Sequence, residues 1–319
     1  MQIQNENVTC VVVTYNRIDL LLECLRAILA QTLPVNRLII VDNASTDGTG
    51  ERLRNEGFLD MEQIEYVLME SNTGGAGGFS TGIDIAKNID ADWIWIMDDD
   101  TIPTKTCLEE LIKAKQIITK RHANTTISFL ASAVYGENGE FMNVPAINMK
   151  SAENGYAYWY EHLDQGIVSI SKATFVSILL NSEAVKKCGL PNPMYYIWGD
   201  DSEYTMRLSR YYGDAFLVGN SVAVHKRKNA KAMSIYDEPD PNRINMYHYL
   251  FRNHMINGML YDGNKYFFRC IKEIIKSPTS LRKKNGLKIM QARIKGNVEA
   301  IIEYPSFKKY LDTQLAERR

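Results

Sequence analysis

Residues 93–100, Trp93-Ile-Trp-Ile-Met-Asp98-Asp99-Asp100, decide how this chain folds. The first five are largely apolar, which is typical of a buried strand, and three carboxylates follow directly. Adjacent carboxylates repel one another, so packing them against a core needs a compensating interaction. Their oxygens suit a divalent cation such as Mg²⁺ or Mn²⁺. On an extended backbone Asp98 and Asp100 point the same way and can share a metal, whereas Asp99 faces elsewhere. The alternative is a solvated acidic turn.

The residues before this stretch alternate between strand and helix signals. Val8–Thr14 is a β-branched run without polar alternation, which is typical of a central parallel strand. An apolar helical face begins at about Asp19, a candidate N-cap, and residues 38–41 and 64–69 predict two further strands. This strand–helix–strand repetition predicts an α/β fold with a parallel sheet.

Polar clusters follow the four predicted strands, and in open α/β sheets ligands bind beyond the carboxyl ends of the strands. The clusters are Tyr15-Asn16-Arg17, Asp42-Asn43, Asn72-Thr73 and the triple Asp. We therefore expect them to converge on one edge of the sheet.

The segment Asn72-Thr-Gly-Gly-Ala-Gly-Gly78 is not a Walker A loop and does not match Gly-x-Gly-x-x-Gly. Its glycines allow a ligand to approach a helix N-terminus closely, or they form a purely structural turn.

A second acidic cluster, Trp198-Gly-Asp200-Asp201-Ser-Glu203, lies about a hundred residues further on. One interpretation is helix N-capping, with Glu203 near the favourable end of the helix dipole. The other is a carboxylate general base whose pKa is set in part by the neighbouring acid. His225 ends a strand-like run, and it is either a structural histidine or a further metal ligand.

Taken together, these segments resemble the family 2 inverting glycosyltransferases of the GT-A fold over about residues 8–255. The similarity is carried by Val11-Val-Val-Thr14-Tyr15-Asn16-Arg17, Val41-Asp42-Asn43-Ala-Ser-Thr-Asp-Gly48, the glycine segment and Met97-Asp98-Asp99-Asp100. The glycine segment, the triple Asp, Trp198-Gly-Asp-Asp-Ser-Glu and Tyr247-x-x-x-x-Arg252-Asn253 are similar to the galactofuranosyltransferase branch, to which rhamnosyltransferases are near relatives.

This resemblance implies a fold and a set of residue roles. The fold is a GT-A-like (Rossmann-like), mostly parallel sheet flanked by helices, with a helical C-terminal region. Asp98, Asp100 and His225 would bind Mn²⁺ or Mg²⁺, and Asp201 would be the catalytic base, with Asp200 as the other candidate. The residues implied in donor binding are Thr14, Asn16, Arg17, Asp42, Asn72 and Asp99.

The implied reaction transfers a sugar with inversion from a nucleotide-sugar donor to a hydroxyl of a glycan or a lipid-linked glycan of the cell envelope. UDP-galactofuranose is the expected donor, and dTDP-rhamnose is the alternative. Two other classes of function remain open, a nucleotidyltransferase and a non-catalytic sugar- or lipid-binding module. A nucleotidyltransferase would need a Gly-rich, basic phosphate loop directly after the first strand, and this sequence has none there. A sugar- or lipid-binding module would need neither the metal ligands nor the catalytic base.

Composition limits the partners and the compartment. The chain has 319 residues and a net charge of −1, so no attraction to nucleic acid is expected, and its oligomeric state is left open. Five dispersed cysteines without CxxC spacing favour a reducing compartment. With no signal peptide and no apolar run of roughly 20 residues, the sequence predicts a cytoplasmic protein that can lie at the inner membrane face.

The last part of the chain differs in charge from the rest. Residues 265–319 carry 14 Lys+Arg and 5 Asp+Glu, which favours an anionic partner such as a membrane surface. At helical spacing Phe267, Ile271, Ile274 and Ile275 share one face of Lys265–Lys276, and cations occupy another. Packing of that apolar face on the catalytic domain is the alternative. We predict a catalytic domain at 1–236 (donor half about 8–105, acceptor half about 106–236) and a basic, mainly helical region at 237–319.

Overall fold

The structure, a computed structural model, describes residues 6–89, 91–227, 234–241 and 243–316. At its centre lies one sheet of eleven strands. The strands are β1 Val8–Thr14, β2 Arg37–Asp42, β3 Ile64–Leu68, β4 Trp93–Asp98, β5 Thr101–Pro103, β6 Ile127–Tyr135, β7 Phe141–Met142, β8 Ala146–Ile147, β9 Ile167–Lys172, β10 Ile178–Asn181 and β11 Asp214–His225.

Helices cover both faces of the sheet and form the last part of the described chain. They are α1 Ile18–Leu29, α2 Thr49–Asn55, α3 Gly74–Lys87, α4 Cys107–Arg121, α5 Ser182–Cys188, α6 Asp200–Tyr211, α7 Tyr247–Asp262, α8 Lys265–Lys276 and α9 Gly286–Ala316. The prediction that Asp19 caps α1 is wrong. Arg17 occupies the N-cap position and Asp19 lies in the first turn, where its charge still complements the helix dipole.

The sheet has two halves of different character. Its strand order is β3-β2-β1-β4-β10-β6-β11-β9-β8, and the first four strands are parallel, as the sequence predicts. Strand β10 then pairs antiparallel with both β4 and β6, and β9 pairs antiparallel with β11. The second half is therefore mixed rather than mostly parallel, which brings the end of β11 towards the end of β4.

Alternate residues of the central strands enter different core layers. On β1, Cys10 and Val12 pack towards α1 and α4, whereas Val11 and Val13 pack towards α3, α5 and α6. Both faces are buried, which explains why these strands lack polar alternation. All five cysteines are also buried, and no disulfide joins any two of them.

The C-terminal helices pack against one another and against the sheet domain. Met255, Ile256 and Met259 of α7 form a cluster with Cys270 of α8 and residues of α9. The same cluster includes Ala76 of α3 and Tyr195, so the helical region contacts the segment that leads into α6. In the described parts of the chain, no helix is both long enough and apolar enough to cross a membrane.

Candidate active site

The triple Asp lies at the carboxyl end of β4, but only its first residue belongs to the strand. Asp99 and Asp100 form a turn into β5, which differs from the extended segment that the sequence predicts. The turn nevertheless separates the side chains as expected. Asp98 and Asp100 face one cavity, whereas Asp99 turns towards β1, where Oγ1 of Thr14 donates a 2.8 Å hydrogen bond to it.

Strand pairing places His225 beside Asp100. The end of β11 runs antiparallel to β5, with His225 opposite Thr101, and the backbone N–H of Lys226 donates to the carbonyl of Asp100. As a result Nε2 of His225 lies 3.1 Å from Oδ1 of Asp100. The sequence distance between these residues gives no hint of this contact, which depends on the mixed half of the sheet.

Asp98, Asp100 and His225 fit a divalent cation. One ligand atom from each lies within 4.8 Å of the others. Although His225 is close, Oδ1 of Asp100 is buried and accepts no hydrogen bond from any described residue, so it is available to a metal. Two carboxylates and an imidazole are donors that Mn²⁺ accepts.

Asn143 orients the ring of His225, and sequence reasoning missed it. Its Oδ1 lies 2.8 Å from Nδ1 of His225. An amide oxygen only accepts, so Nδ1 would donate in this contact, and a neutral ring in that tautomer would leave the lone pair of Nε2 available to a metal. Asn143 adopts a positive φ of 50°, which asparagine tolerates better than most residues. No sequence signal marks this position, because the contact joins distant parts of the chain.

Burial and charge set the protonation of the acidic turn. Burial, followed by repulsion from Asp100 and Asp99, raises the pKa of Asp98 well above its usual value. Burial also raises the pKa of Asp99 to about 6, although Arg17 acts in the opposite direction. For Asp100 the effect of burial is outweighed by His225 and Arg17, and its pKa is lowered.

Arg17 bridges the two carboxylates of the turn. Its Nη1 lies 2.7 Å from Oδ2 of Asp100 and 3.3 Å from Oδ1 of Asp99. The arginine side chain is 51% exposed, so it can also reach an anion in the cavity.

The second acidic pair opens α6 from an unusual backbone. Gly199, with φ of 92°, occupies the N-cap position, so neither aspartate is the N-cap residue. Asp200, Asp201 and Glu203 do lie in the first turn, at the favourable end of the helix dipole. Burial, followed by repulsion from Asp201, raises the pKa of Asp200 to about 8. Burial also raises the pKa of Asp201. The backbone N–H of Ser202 acts in the opposite direction, because it donates a 2.6 Å hydrogen bond to Oδ1 of Asp201.

Helix α7 fixes the segment that leads into this pair. Tyr196 and Trp198 both have φ of 63°, a region that side chains rarely occupy. The Nδ2 of Asn253 donates to the carbonyls of Tyr195, Ile197 and Trp198 at 3.0, 3.0 and 2.6 Å. These bonds stabilise a path that the chain would not otherwise adopt.

Arg252 and Asn257 add to this support from α7. Arg252 donates to the carbonyls of Met194 and Tyr195 and pairs with Glu303 of α9 at 3.0 Å. Asn257 donates to the carbonyl of Gly199 at 2.9 Å. The sequence contains Arg252-Asn253 as part of a family-like pattern, but the pattern alone assigns them no role.

A single cavity of about 750 Å³ brings the two acidic clusters together. Its lining includes six of the residues predicted from the sequence, namely Arg17, Asp98, Asp100, Asp200, Asp201 and His225. Sequence reasoning missed three cations of the same lining, Lys226, Arg227 and Arg243. The first two directly follow His225, so the basic run after the strand was the available signal.

The remaining predicted donor residues lie at the carboxyl ends of strands or in the loops that follow them, and they are not among the lining residues of the cavity. Oδ1 of Asn16 accepts from the backbone N–H of Thr46 at 2.7 Å. Asp42 accepts from Tyr66 and from the backbone N–H of Ser45 at 2.6 and 2.7 Å. Asn72 accepts from the backbone N–H of Gly74 at 2.8 Å. The structure brings these loops to the predicted edge, and their contact with a donor stays a prediction.

The glycine segment forms the first turns of α3 and has two functions in the fold. A side chain on Gly74 would meet the carbonyl oxygen of Tyr196 at 2.0 Å, and one on Gly78 would meet Val13 at 2.5 Å. These glycines therefore allow close packing against the loop before α6 and against β1. Gly75, in contrast, has open space around it and lines the cavity.

Comparison with known proteins agrees with this architecture. Residues 9–123 match the family model "Glycosyl transferase family 2". The chain is similar to galactofuranosyltransferase GlfT1 of Mycolicibacterium smegmatis, with 38% identity over 32% of this chain and 32% of that protein. It is also similar to glycosyltransferase GlyG of Streptococcus pneumoniae, with 34% identity over 35% of this chain and 36% of that protein. The aligned segments thus span about a third of these relatives.

The fold extends the similarity over nearly the whole chain. A crystal structure of GalNAc-T7 with UDP, GalNAc and Mn²⁺ superposes with a TM-score of 0.59 and 14% identity, covering 97% of this chain and 58% of that one. At this identity the superposition supports the GT-A fold, and it carries no information on the substrate.

Proposed function

We propose that the protein is an inverting, metal-dependent glycosyltransferase, since residues 9–123 match the family model "Glycosyl transferase family 2". The observation that carries the proposal is the cavity in which Asp98, Asp100 and His225 face Asp200 and Asp201. One wall holds a candidate metal set, and the other holds a carboxylate pair with raised pKa values. Neither a purely structural turn nor a helix cap requires this juxtaposition.

The donor's diphosphate would occupy the metal side of the cavity. Asp98, Asp100 and His225 would hold Mn²⁺ or Mg²⁺, which when bound would neutralise charge on the leaving diphosphate. Arg17, Lys226 and Arg227 would add positive charge around the same group. With the diphosphate on the metal side of the cavity, the sugar would point towards the start of α6.

Asp201 would act as the general base on the acceptor hydroxyl. It would take the proton as the hydroxyl oxygen attacks the anomeric carbon from the face opposite the diphosphate, and this geometry inverts the configuration. Asp200, with a pKa of about 8, would remain protonated at neutral pH, so Asp201 is the better candidate for an ionised base. Their repulsion keeps the pair from ionising together, which favours this assignment of roles.

Galactofuranose is the proposed sugar, and UDP-galactofuranose is the proposed donor. The support is the identity to GlfT1 proteins, 38% and 41% over about a third of this chain. The acceptor would be a hydroxyl of a glycan or a lipid-linked glycan. A rhamnosyltransferase using dTDP-rhamnose is the second candidate within the same mechanism.

A donor screen tests this function. The protein is incubated with UDP-galactofuranose, dTDP-rhamnose, UDP-glucose or UDP-galactopyranose, each with Mn²⁺ and with excess EDTA, and release of the nucleoside diphosphate is measured. We expect metal-dependent release from UDP-galactofuranose above the others. Binding without release would indicate a sugar-binding module, and release of pyrophosphate would indicate nucleotidyl transfer. Full activity in EDTA would contradict the metal assignment.

We further propose that α8 places this enzyme on an anionic membrane surface. The helix packs on α7 through Tyr266 and Cys270, and Arg293 of α9 holds Glu273 at 2.6 Å. Its apolar side points away from these contacts: Phe268 and Ile275 are 67% and 73% exposed. Of the face predicted from the sequence, Phe267, Ile271 and Ile275 are 39%, 40% and 73% exposed, which supports contact with lipid over packing on the catalytic domain.

Cations border the exposed apolar side of α8. Lys265, Arg269, Lys272 and Lys276 are all exposed, and exposed Arg282, Lys283 and Lys284 follow in the next turn. An apolar strip beside a row of cations matches a lipid surface with anionic headgroups, because the strip enters the acyl boundary while the cations contact phosphates. A lipid-linked acceptor would then be presented at the same surface.

A further inference from the structure

A second group of metal-ligating side chains lies far from the proposed active site. His122 directly follows α4, and Glu161 and His162 lie between two 3₁₀ helices, Tyr158–Tyr160 and Leu163–Gln165. His162 packs its ring against Phe216, near the start of β11, whereas His225 ends that strand. At about 3.3 Å per residue the two ends are up to roughly 30 Å apart.

We propose that His122, Glu161 and His162 bind a transition-metal cation, with Zn²⁺ as the best fit. One ligand atom from each residue lies within 4.8 Å of the others. The Glu161 carboxylate spans the two rings: Oε1 lies 2.7 Å from Nε2 of His122, and Oε2 lies 3.9 Å from Nε2 of His162. A cation between them would contact all three side chains.

Buried polar atoms without partners are the second observation. The side chain of His162 is 2% exposed, yet neither ring nitrogen has a hydrogen-bond partner among the described residues. Oε2 of Glu161 is also buried and has no hydrogen bond within that part of the chain. Buried polar groups are normally satisfied, and a bound cation would satisfy these atoms together.

The donor set distinguishes this site from the one in the cleft. Two imidazoles and one carboxylate suit Zn²⁺, which commonly takes three protein ligands and leaves a fourth position open. The cleft offers two carboxylates and one imidazole, a harder set. His122 is 44% exposed and lines a cavity of about 780 Å³, which gives a cation a route of entry.

A cation here would join α4 to the segment before β9. Between β6 and β9 the chain forms the short strands β7 and β8, the two 3₁₀ helices and turns. Arg121 connects α4 to this segment through two hydrogen bonds of 2.9 and 2.8 Å to Asp164. Closing a long connection between residues 122 and 161 would reduce the freedom of the unfolded chain. A bound cation would therefore stabilise the packing of this segment on the end of α4.

Zinc titration of the full chain, stripped with EDTA and dialysed, tests the site. Calorimetry and elemental analysis would give the number of bound ions, and thermal unfolding would be followed with and without ZnCl₂. His122→Ala and Glu161→Gln should each bind one zinc ion fewer than the wild type and lose most of the zinc-dependent rise in Tm. His254→Ala, an exposed histidine on α7, is the matched control and should keep both.

Because the result is a difference between proteins, zinc that enters the cleft does not affect it. Unchanged circular dichroism would show that the His122→Ala variant is folded, since this side chain lies at the surface. If that folded variant binds as many zinc ions as the wild type, with the same affinity, the proposal is wrong.

Discussion

The candidate active-site cavity has buried charged side chains, and the outer side of α8 has exposed apolar ones, so each departs from the usual distribution of residues in the opposite direction. Charged side chains normally stay in water and large apolar ones are buried. In the cleft Asp100 and Asp200 are buried, at 5% and 7% exposure. On α8 Phe268 and Ile275 are mostly exposed.

Burying carboxylates and exposing apolar side chains both cost free energy in the isolated protein. A different kind of ligand would offset each cost. Buried carboxylates are stabilised by cations, whereas an exposed apolar strip is stabilised by hydrocarbon. A small charged ligand would therefore stabilise the cleft, and an extended apolar surface would stabilise α8.

The largest effect is expected in the cleft, at Asp201. Asp201→Asn removes the proton acceptor with little change in volume, so transfer should fall by ~10²–10⁴-fold. Asp200→Asn replaces a group expected to be protonated and should retain most of the rate. Initial transfer rates, together with donor binding by calorimetry, measure both. If only Asp200→Asn is inactive, the base is Asp200, and if both stay active, the base lies elsewhere.

A smaller effect is expected at Asn143, which orients a metal ligand without touching the metal. Asn143→Ala should weaken Mn²⁺ binding by ~10–100-fold, the usual range for such outer residues. Calorimetric titration with MnCl₂ measures this, and Asn138→Ala, in the neighbouring exposed turn, is the matched control. Asp100→Ala should remove metal-dependent donor binding altogether. If Asn143→Ala and Asp100→Ala both bind Mn²⁺ as tightly as the wild type, the acidic turn is not a metal site.

On α8 we expect a loss of lipid binding without a loss of chemistry. Each cation near an anionic surface contributes ~1 kcal/mol, so Lys272→Gln with Lys276→Gln should weaken vesicle binding by roughly 30-fold. Co-sedimentation with anionic vesicles at low salt measures this, with neutral vesicles as a second arm. Lys120→Gln on α4 is the control. Equal recovery of the wild type in the supernatant from both vesicle types would show that α8 is an ordinary surface helix.

A further effect, on the stability of the fold and not on binding or catalysis, is a change with pH. The folded protein keeps a proton on Asp200 up to about pH 8, whereas the unfolded chain releases it near the ordinary value of 3.8. Between these values the folded state binds more protons, so stability falls as pH rises. Asp200→Asn removes this contribution, and its Tm advantage over the wild type should grow from pH 5 to pH 8. Asp262→Asn, at the exposed end of α7, should show no such trend.

The sequence predicted the parts of the molecule that depend on local patterns. The first four strands, the acidic turn and the strand ending at His225 follow from short apolar runs and the polar residues after them. Strand β10 was missed because its four residues look like any buried segment, and its position between β4 and β6 depends on partners far away in the chain.

The same reason explains what was missed in the candidate site. The contact of Asn143 with His225 and the positive φ of Tyr196 arise only when distant segments meet. The turn at Asp99 and Asp100 has a related cause, since pairing of β5 with β11 reverses the chain there. Local sequence patterns thus predicted which residues lie in the candidate site, whereas tertiary contacts determine how their side chains are arranged.

The three hydrogen bonds of Asn253 bear on how relatives of this protein can diverge or be recombined. The family-matched segment ends at residue 123, yet the path of residues 194–199 is specified by a helix that begins at Tyr247. Substitutions in that loop and in α7 are therefore expected to co-vary. In a chimera that exchanged one without the other, the loop would lose the hydrogen bonds that set its path, so we expect the loop and α7 to be exchanged only together.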